Sequence, residues 1–377
     1  MELELIKFIK EHENWEELLT KEPYHLSISR KDDFILFKYS QTDSDFSYQL
    51  VREARGIIFH EPTWEIACFP FTKFFNLGEP HCADIDWAHG VIVSEKIDGS
   101  LIKIWWDKWH NRWNVSTNGA IDAAEAEING KSFLWIVEKA LYSHNLSVAK
   151  LTASLIRGFT YMFELVSPWN RVVIPYKEPE LYYLGDRDNE SGRESFDWDI
   201  SDMLGLPRPK LYYTNDPQQI MDMADKLPWN EEGYVVRDWR CNRCKVKSPL
   251  YVQAHYFRNN NQISVRRLIE VILQNERDEF TVYCGDFTDR LDKVEQAMKD
   301  VACSILEVCN WARIQEKGKD REVFESLKQR YPKWLACIGM RWYRYGEEAG
   351  VPTSNWTIYD WERRVREKLG DDWDDLF

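Results

Sequence analysis

Five charged side chains lie within or directly beside apolar runs of strand-like composition: Lys96, Glu164, Glu232, Lys245 and Lys247. A charge in such surroundings is costly unless it is paired, so we expect these side chains to converge on one site. An amine can act as a nucleophile, carboxylates can hold a metal ion, and further lysines can neutralise a phosphate group. For Lys96 the physical interpretation is a nucleophile, because cationic neighbours make an amine easier to deprotonate.

The first of these lysines stands in "VIVSEKIDGSLIKIWW", residues 91–106. Two apolar runs flank the polar turn and predict a buried hairpin. Gly99 permits a tight backbone there, and Ser100 adds a hydrogen-bond donor. The other interpretation is a surface lysine on a hairpin turn. A lysine two residues before Asp-Gly is a short pattern, and such a pattern recurs by chance.

The elements around these residues change character once along the chain. Residues 1–20 predict one amphipathic helix, and residues 24–255 contain short β-rich runs, interrupted by helical segments near 122–143 and 147–157. After residue 260 the spacing is helical. One apolar stripe recurs at steps of three and four residues: Leu291, Val294, Met298, Val301, Ile305 and Val308.

The order of the charged segments is more specific than any one of them. "EKIDGS" (95–100) is followed by "STNG" (116–119), "MFELV" (162–166), "EEGYVV" (231–236) and "KVK" (245–247). In this order they resemble motifs I, Ia, III, IV and V of the covalent nucleotidyltransferase superfamily of ligases and capping enzymes. Four further segments narrow the resemblance to the phage RNA ligase 1 family, the single-strand ligases of tRNA repair: "VREARGIIF", "FPFTKFFNLGE", "FELVSPWNRVVIPY" and "KVKSPLYVQAH".

The resemblance implies an α+β fold. A nucleotidyltransferase (ATP-grasp-like ligase) domain built on antiparallel sheets would cover residues 1–258. An all-α carboxy-terminal domain, a candidate for RNA recognition, would cover residues 259–377. The likeness itself extends over roughly residues 35–260.

The resemblance also implies an ATP pocket in which Lys96 becomes covalently adenylylated. Arg55 and Lys73 would hold the β- and γ-phosphates, and Lys245 and Lys247 the α-phosphate. Glu164 and Glu232 would contact the ribose and, through water, a Mg²⁺ ion, with Mn²⁺ as an alternative. The remaining implied nucleotide contacts are Phe75, Glu95, Ile97, Asp98, Gly99 and Asn118.

The implied partner is RNA with 5′-phosphate and 3′-hydroxyl ends, such as a tRNA nicked in its anticodon loop. The implied RNA contacts are Tyr251, Arg258, Arg266 and Arg267. One departure stands out, because Asn118 occupies a place where the family often has a basic residue. A neighbouring Lys or Arg is then expected to make the missing phosphate contact.

Composition limits the other possibilities. A net charge of −14 disfavours a generally nucleic-acid-binding surface, yet residues 234–269 hold eight Lys or Arg against one acid. The sequence contains no apolar run of about eighteen residues, so we expect a cytoplasmic protein that does not enter the membrane, as a monomer. Eight scattered cysteines predict reduced thiols, and the Cys241/Cys244 pair lacks a second ligand pair for zinc.

Three alternatives to an RNA ligase remain at this point. A DNA ligase or an mRNA capping guanylyltransferase would share the pocket, but both normally continue into a β-rich oligonucleotide-binding barrel. A non-catalytic RNA-binding protein on a degenerate ligase fold would lack the nucleophile or a carboxylate, whereas all five charged residues are present.

Overall fold

The computed structural model describes residues 2–195, 199–256, 264–346, 353 and 356–369. The chain divides into two compact units, Met1–His255 and Tyr256–Phe377. The boundary predicted at 258/259 lies outside the described residues. Among the helices that are described, none combines the length and the apolar composition needed to cross a membrane.

The described part of the amino-terminal unit contains sixteen strands: β1 (Leu26–Lys31), β2 (Phe34–Tyr39), β3 (Arg55–His60), β4 (Glu65–Cys68), β5 (Phe75–Asn76), β6 (Val91–Glu95), β7 (Ser100–Asp107), β8 (Arg112–Thr117), β9 (Glu127–Ile128), β10 (Lys131–Ser132), β11 (Phe159–Val166), β12 (Glu180–Asp188), β13 (Glu194–Ser195), β14 (Leu211–Thr214), β15 (Gly233–Arg237) and β16 (Arg243–Lys247).

These strands form three larger sheets, and β9 pairs with β10 separately. Sheet 1 has the order β1-β2-β3-β4, sheet 2 the order β13-β12-β11-β7-β8, and sheet 3 the order β14-β6-β15-β16-β5. The predicted antiparallel architecture is confirmed for sheets 1 and 2. In sheet 3, β16 and β5 run parallel, a pairing that spacing in the sequence did not indicate.

The helices of this unit pack beside the sheets: α1 (Glu4–Glu11), α2 (Trp15–Leu19), α3 (Gln49–Glu53), α4 (Phe133–Ser143), α5 (Val148–Ala153), α6 (Asp199–Leu204), α7 (Pro217–Ala224) and α8 (Pro249–Tyr256). The single helix predicted over residues 1–20 is wrong, because His12 has an extended backbone and separates α1 from α2. The bend lets Leu5 and Leu19 enter the same core beside sheet 1.

The predicted hairpin over residues 91–106 is also wrong. Strand β6 pairs with β14 and β15 in sheet 3, whereas β7 pairs with β8 and β11 in sheet 2. Residues 96–99 therefore cross from one sheet to the other. Both strands are apolar because each lies inside a sheet, which a single sequence cannot distinguish from two strands that pair with each other.

The described part of the carboxy-terminal unit is helical, as predicted: α9 (Val265–Leu273), α10 (Arg277–Tyr283), α11 (Thr288–Arg313), α12 (Asp320–Arg330), α13 (Lys333–Tyr345) and α14 (Ile358–Leu369). The predicted apolar stripe of α11 is buried along its length. Helix α13 approaches α11 and α12 closely at Gly339, where a Cβ would lie 2.8 Å from Val308 Cγ2 and 2.9 Å from Leu327 Cδ2.

Candidate active site

The turn between sheets 3 and 2 carries Lys96. Its backbone N–H donates to the Gly233 carbonyl at 2.8 Å, so β15 fixes the position of the lysine. The ammonium Nζ lies 2.8 Å from Glu232 Oε1, and Lys247 Nζ lies 3.7 Å from the same oxygen. The predicted nucleophile and two of the predicted catalytic groups therefore meet in one ion-paired cluster.

Asp98 holds the turn from behind. Its side chain is buried and accepts the backbone N–H groups of Val173 and Ile174 at 3.0 and 2.8 Å. The Tyr251 hydroxyl donates to its other oxygen at 2.9 Å. Three donors satisfy this buried carboxylate, as a buried charge requires. Asp98 thus positions the turn, and it does not line the cavity described below.

Gly99 and Ser100 bring this turn against β11. A Cβ on Gly99 would lie 2.4 Å from the Leu165 carbonyl oxygen, so a larger residue would push the two segments apart. The Asn170 amide donates both to Leu165 O at 2.7 Å and to Ser100 Oγ at 3.0 Å. Asn170 is a positioning residue that the sequence analysis did not select, although it follows motif III directly.

A cavity of about 580 Å³ opens beside Lys96, within the range of small-molecule sites. Nine of the predicted nucleotide contacts line it: Arg55, Lys73, Glu95, Lys96, Ile97, Gly99, Asn118, Glu164 and Lys245. Four do not, and lie beside or behind the lining: Phe75, Asp98, Glu232 and Lys247. Of the charged side chains in the lining, seven are basic and two acidic, so the cavity is positive in a chain of net charge −14.

Aromatic rings hold the Lys73 ammonium. Its Nζ lies 4.9 Å from the Tyr39 ring centre, 4.4 Å from that of Phe46 and 5.5 Å from that of Phe75. These are cation–π distances, which favour the charged form and a fixed position. The predicted contact Phe75 is therefore a wall behind Lys73. Arg55 lies over the Phe74 ring at 5.1 Å in the same way.

The two carboxylates differ in environment. Burial raises the pKa of Glu164 to about 7, and the negative charge of Glu232 contributes, while the ammonium of Lys96 opposes the shift. Among the described residues, Glu232 Oε2 and Asn118 Oδ1 are buried oxygens with no hydrogen-bond donor. Buried acceptors normally have a partner, so both oxygens fit a site that a ligand completes.

Glu164 and Glu232 are the two carboxylates of this site that could hold a divalent metal ion beside a nucleotide. No group of three or more His, Cys, Asp or Glu side chains that could hold a metal occurs within the described ranges. Mg²⁺ typically uses one or two carboxylates together with substrate phosphates and water. Glu164 and Glu232 supply such carboxylates.

Two further lysines near the cavity were not selected from the sequence. Lys103 on β7 is fully buried, and its ammonium donates to the Gly56 carbonyl. Burial lowers its pKa to about 8, and the nearby Arg55 adds to the effect. Lys38 on β2 lines the cavity. Both lie within or beside apolar strands, "LIKIWW" and "FILFKYS", so the criterion that selected Lys96 would also have found them.

The predicted RNA contacts have different positions. Tyr251 is buried and its hydroxyl donates to Asp98, so its ring is not exposed for stacking on a base in this structure, and its contact with RNA stays a prediction. Arg258 lies outside the described residues. Arg266 and Arg267 on α9 both pair with Glu270, at 3.7 and 2.5 Å.

Comparison with known proteins identifies relatives of this chain. A family model described as RNA ligase matches residues 53–257, more than half of the chain. A protein of Autographa californica nuclear polyhedrosis virus, named for polynucleotide kinase and RNA ligase activities, is 32% identical over 262 residues. That match covers 66% of this chain but 37% of the viral protein.

Two other similarities cover a larger share of the related protein. An RNA ligase of Rhodothermus phage RM378 is 24% identical over 338 residues, covering 72% of this chain and 74% of the phage protein. The solved structure of an archaeal ATP-dependent RNA ligase gives a TM-score of 0.44 at 14% identity, covering 73% of each chain.

Proposed function

Because the chain belongs to the RNA ligase family, of the phage RNA ligase 1 type, we propose that it joins RNA ends at the expense of ATP. The observation that carries this proposal is the convergence of Lys96, Arg55, Lys73 and Lys245 on one positive cavity beside Glu164 and Glu232. These four cations come from separate segments of the sequence and line the same cavity.

In the proposed first step, Lys96 Nζ attacks the α-phosphorus of ATP. Nζ attacks as the neutral amine, after the ammonium has released one proton to solvent. A nitrogen–phosphorus bond forms, the bond to the bridging oxygen breaks, pyrophosphate leaves, and the nitrogen releases a second proton. Arg55 and Lys73 orient the leaving pyrophosphate, while Lys245 and Lys247 neutralise the α-phosphate in the transition state. A Mg²⁺ or Mn²⁺ ion, held through water by Glu164 and Glu232, would supply additional positive charge to the phosphate oxygens.

In the two later steps the same cations act on RNA. The 5′-phosphate of RNA displaces Lys96 from the adenylyl phosphorus and forms an RNA-adenylate with a pyrophosphate linkage. The 3′-hydroxyl of the second end then attacks the RNA 5′-phosphorus, a phosphodiester forms, and AMP leaves with the bridging oxygen. We propose that this serves repair of nicked RNA, such as a tRNA anticodon loop.

The carboxy-terminal unit favours RNA over the alternative substrates. DNA ligases and capping guanylyltransferases share the proposed pocket but normally continue into a β-rich oligonucleotide-binding barrel. The described residues of Tyr256–Phe377 form helices instead. We propose that this helical unit recognises RNA, and that the protein acts as a cytoplasmic monomer.

A circularisation assay tests the proposal. The protein is mixed with ATP, Mg²⁺ and a 5′-phosphorylated single-stranded RNA, with a DNA of the same sequence and the Lys96→Ala variant in parallel. We expect a phosphatase-resistant RNA circle from the wild type and none from the variant. A protein–AMP adduct without a circle would mean that the RNA partner is wrong. Absence of both would favour a non-catalytic RNA-binding protein.

A further inference from the structure

We propose that Lys38 binds a phosphate group in the cavity and supplies the positive charge that Asn118 lacks. The inference rests on the proposed function, since it assigns a further phosphate contact to the same site. Asn118 stands in the turn after β8, and its amide oxygen can accept a hydrogen bond but cannot neutralise an anion. The cavity lining therefore has no positive charge at position 118.

Local backbone geometry directs Lys38 to the cavity. In β2, four consecutive apolar residues, 34–37, are buried, and Lys38 is the first exposed side chain. The pairing of β2 with β3 shifts register between Phe37 and Lys38, which places Lys38 opposite Arg55. Irregularities of this kind re-aim a side chain, and they are frequent beside active sites.

The position of the ammonium matches the missing charge. Lys38 Nζ lies 3.4 Å from the point where a Cβ on Gly119 would stand, next to Asn118. Both Asn118 and Gly119 line the cavity with Lys38. The Lys38 side chain therefore reaches, from the neighbouring sheet, the turn in which the family often has a basic residue.

In the described part of the chain, no acidic side chain forms an ion pair with Lys38. Its ammonium makes no ion pair or side-chain hydrogen bond there, although most lysines of sheet 1 and its surroundings do, such as Lys31 with Asp122 at 2.6 Å. It instead shares the cavity lining with two other cations, Arg55 and Lys73. Like charges in one cavity repel each other unless an anion enters, and a phosphate group is the anion that this set fits.

The phosphate could come from ATP or from the 5′ end of RNA, so the test has two arms. In the first, protein–AMP formation is measured against ATP concentration. In the second, a pre-adenylylated RNA is joined without ATP. We compare the wild type, Lys38→Ala, Lys38→Arg, and Lys38→Ala combined with Asn118→Lys. Lys226→Ala is the control, because Lys226 is an exposed lysine that does not line the cavity.

For a contact with ATP, we expect Lys38→Ala to raise the KM for ATP roughly tenfold to a hundredfold, the usual effect of losing a hydrogen bond to a charged group. Adding Asn118→Lys should recover most of that loss, and Lys38→Arg should retain most of the affinity. A loss confined to the second arm would assign the phosphate to RNA. Values within twofold of the wild type in both arms would overturn the proposal.

A binding measurement separates failure of this inference from failure of the proposed function. The rise in Tm on adding ATP needs no turnover and reports binding to the folded state. If the wild type forms no AMP adduct but Lys38→Ala still reduces the ATP-induced rise, Lys38 is a phosphate contact and the ligase proposal fails. If the rise is unchanged in Lys38→Ala and both activity arms are also unchanged, the inference on Lys38 is wrong.

Discussion

At the scale of single residues, Glu232 organises the proposed nucleophile. One of its oxygens contacts Lys96 at 2.8 Å and Lys247 at 3.7 Å, whereas the other has no donor among the described residues. The two lysines therefore share one carboxylate at unequal distances. Removing either lysine leaves Glu232 with a remaining cation, which limits the cost of an unpaired buried charge.

We therefore predict that Lys247→Ala lowers the rate of protein–AMP formation far more than it lowers stability. Loss of one electrostatic contact in the transition state typically costs about 10²- to 10³-fold in rate. The free energy of unfolding should change by no more than about 1–2 kcal/mol, because Lys96 still pairs with Glu232. Single-turnover kinetics and urea unfolding measure the two quantities. A variant that unfolds while its folded fraction retains full rate would contradict the assignment.

Glu164 predicts a pH dependence of stability in the unliganded protein. Its pKa is about 7 when folded and near 4.5 when unfolded, so the folded state binds the proton more tightly. Its contribution is complete below pH 4.5 and is lost as the pH rises to 7. Glu164→Gln should therefore stabilise the protein by about 1–3 kcal/mol at pH 8 and by little at pH 4.5.

Urea unfolding of Glu164→Gln and of the wild type at both pH values, without ATP or metal, checks this prediction. Glu95→Gln is a suitable comparison, because Glu95 also lines the cavity and is in the same charged surroundings. An equal effect of Glu164→Gln at the two pH values would show that its carboxyl does not titrate in this range.

At the scale of elements, the crossing from sheet 3 to sheet 2 places the site. Lys96 bonds to β15 through its backbone, and Ser100 opens β7 opposite Leu165 of β11. The sequence identified the turn that carries Lys96, but it predicted a hairpin. Strand β6 pairs with β14 and β15, which lie more than 110 residues away along the chain, and β7 pairs with β11, which lies 55 to 65 residues away. Apolar runs carry no information about such distant partners.

The same limit applies to Tyr251, whose burial was not predicted. Its place after motif V indicated proximity to the site, and this proximity is present in its hydroxyl contact with Asp98. Its burial under the turn depends on the packing of α8, which the sequence does not reveal. By contrast, the stripe on α11 was predictable residue by residue, since helical periodicity is a local property.

Strand β15 offers a test of this arrangement at Gly233. Its φ is +137°, and a Cβ would lie 2.2 Å from the Val246 carbonyl oxygen on β16. We predict that Gly233→Ala destabilises the protein by about 3 kcal/mol or more, since strain and a backbone clash combine. Because the backbone N–H of Lys96 donates a hydrogen bond to the Gly233 carbonyl, a shift of Gly233 would also move Lys96. Protein–AMP formation should therefore slow as well.

Gly158→Ala is the matched control. Gly158 has a φ of +90°, but no atom lies within 4 Å of a Cβ at that position. Gly158→Ala should lower the free energy of unfolding only by the cost of a left-handed backbone conformation, about 1 kcal/mol. Formation of the protein–AMP adduct should not change. Similar losses in the two variants, measured by urea unfolding, would show that β15 and β16 tolerate the added carbon.

At the scale of the whole molecule, charge is distributed unevenly. The chain carries a net charge of −14, yet the cavity lining has seven basic and two acidic side chains. RNA should therefore be held at a few phosphates near the site and repelled elsewhere. This contrast explains why total charge alone is a poor guide to the partner, whereas the order of motifs correctly indicated the family.

We predict a moderate salt dependence of RNA binding. Contact with roughly two to four phosphates of single-stranded RNA implies a slope of about −1.4 to −2.8 for the logarithm of the binding constant against that of salt. Between 50 and 200 mM salt, affinity should fall roughly 7- to 50-fold. Fluorescence anisotropy with a 5′-phosphorylated RNA measures this slope, with the inactive Lys96→Ala variant to prevent turnover. A slope near zero would contradict phosphate contacts as the main source of affinity.

The division at His255/Tyr256 has an evolutionary consequence. Every residue that lines the cavity belongs to the first unit, and the match to the family model ends at residue 257. Mutations in the last third of the gene, which encodes the second unit, can therefore accumulate without replacing any side chain of the cavity. Natural selection can therefore retain the residues of the cavity in one segment while the other segment is exchanged or rebuilt.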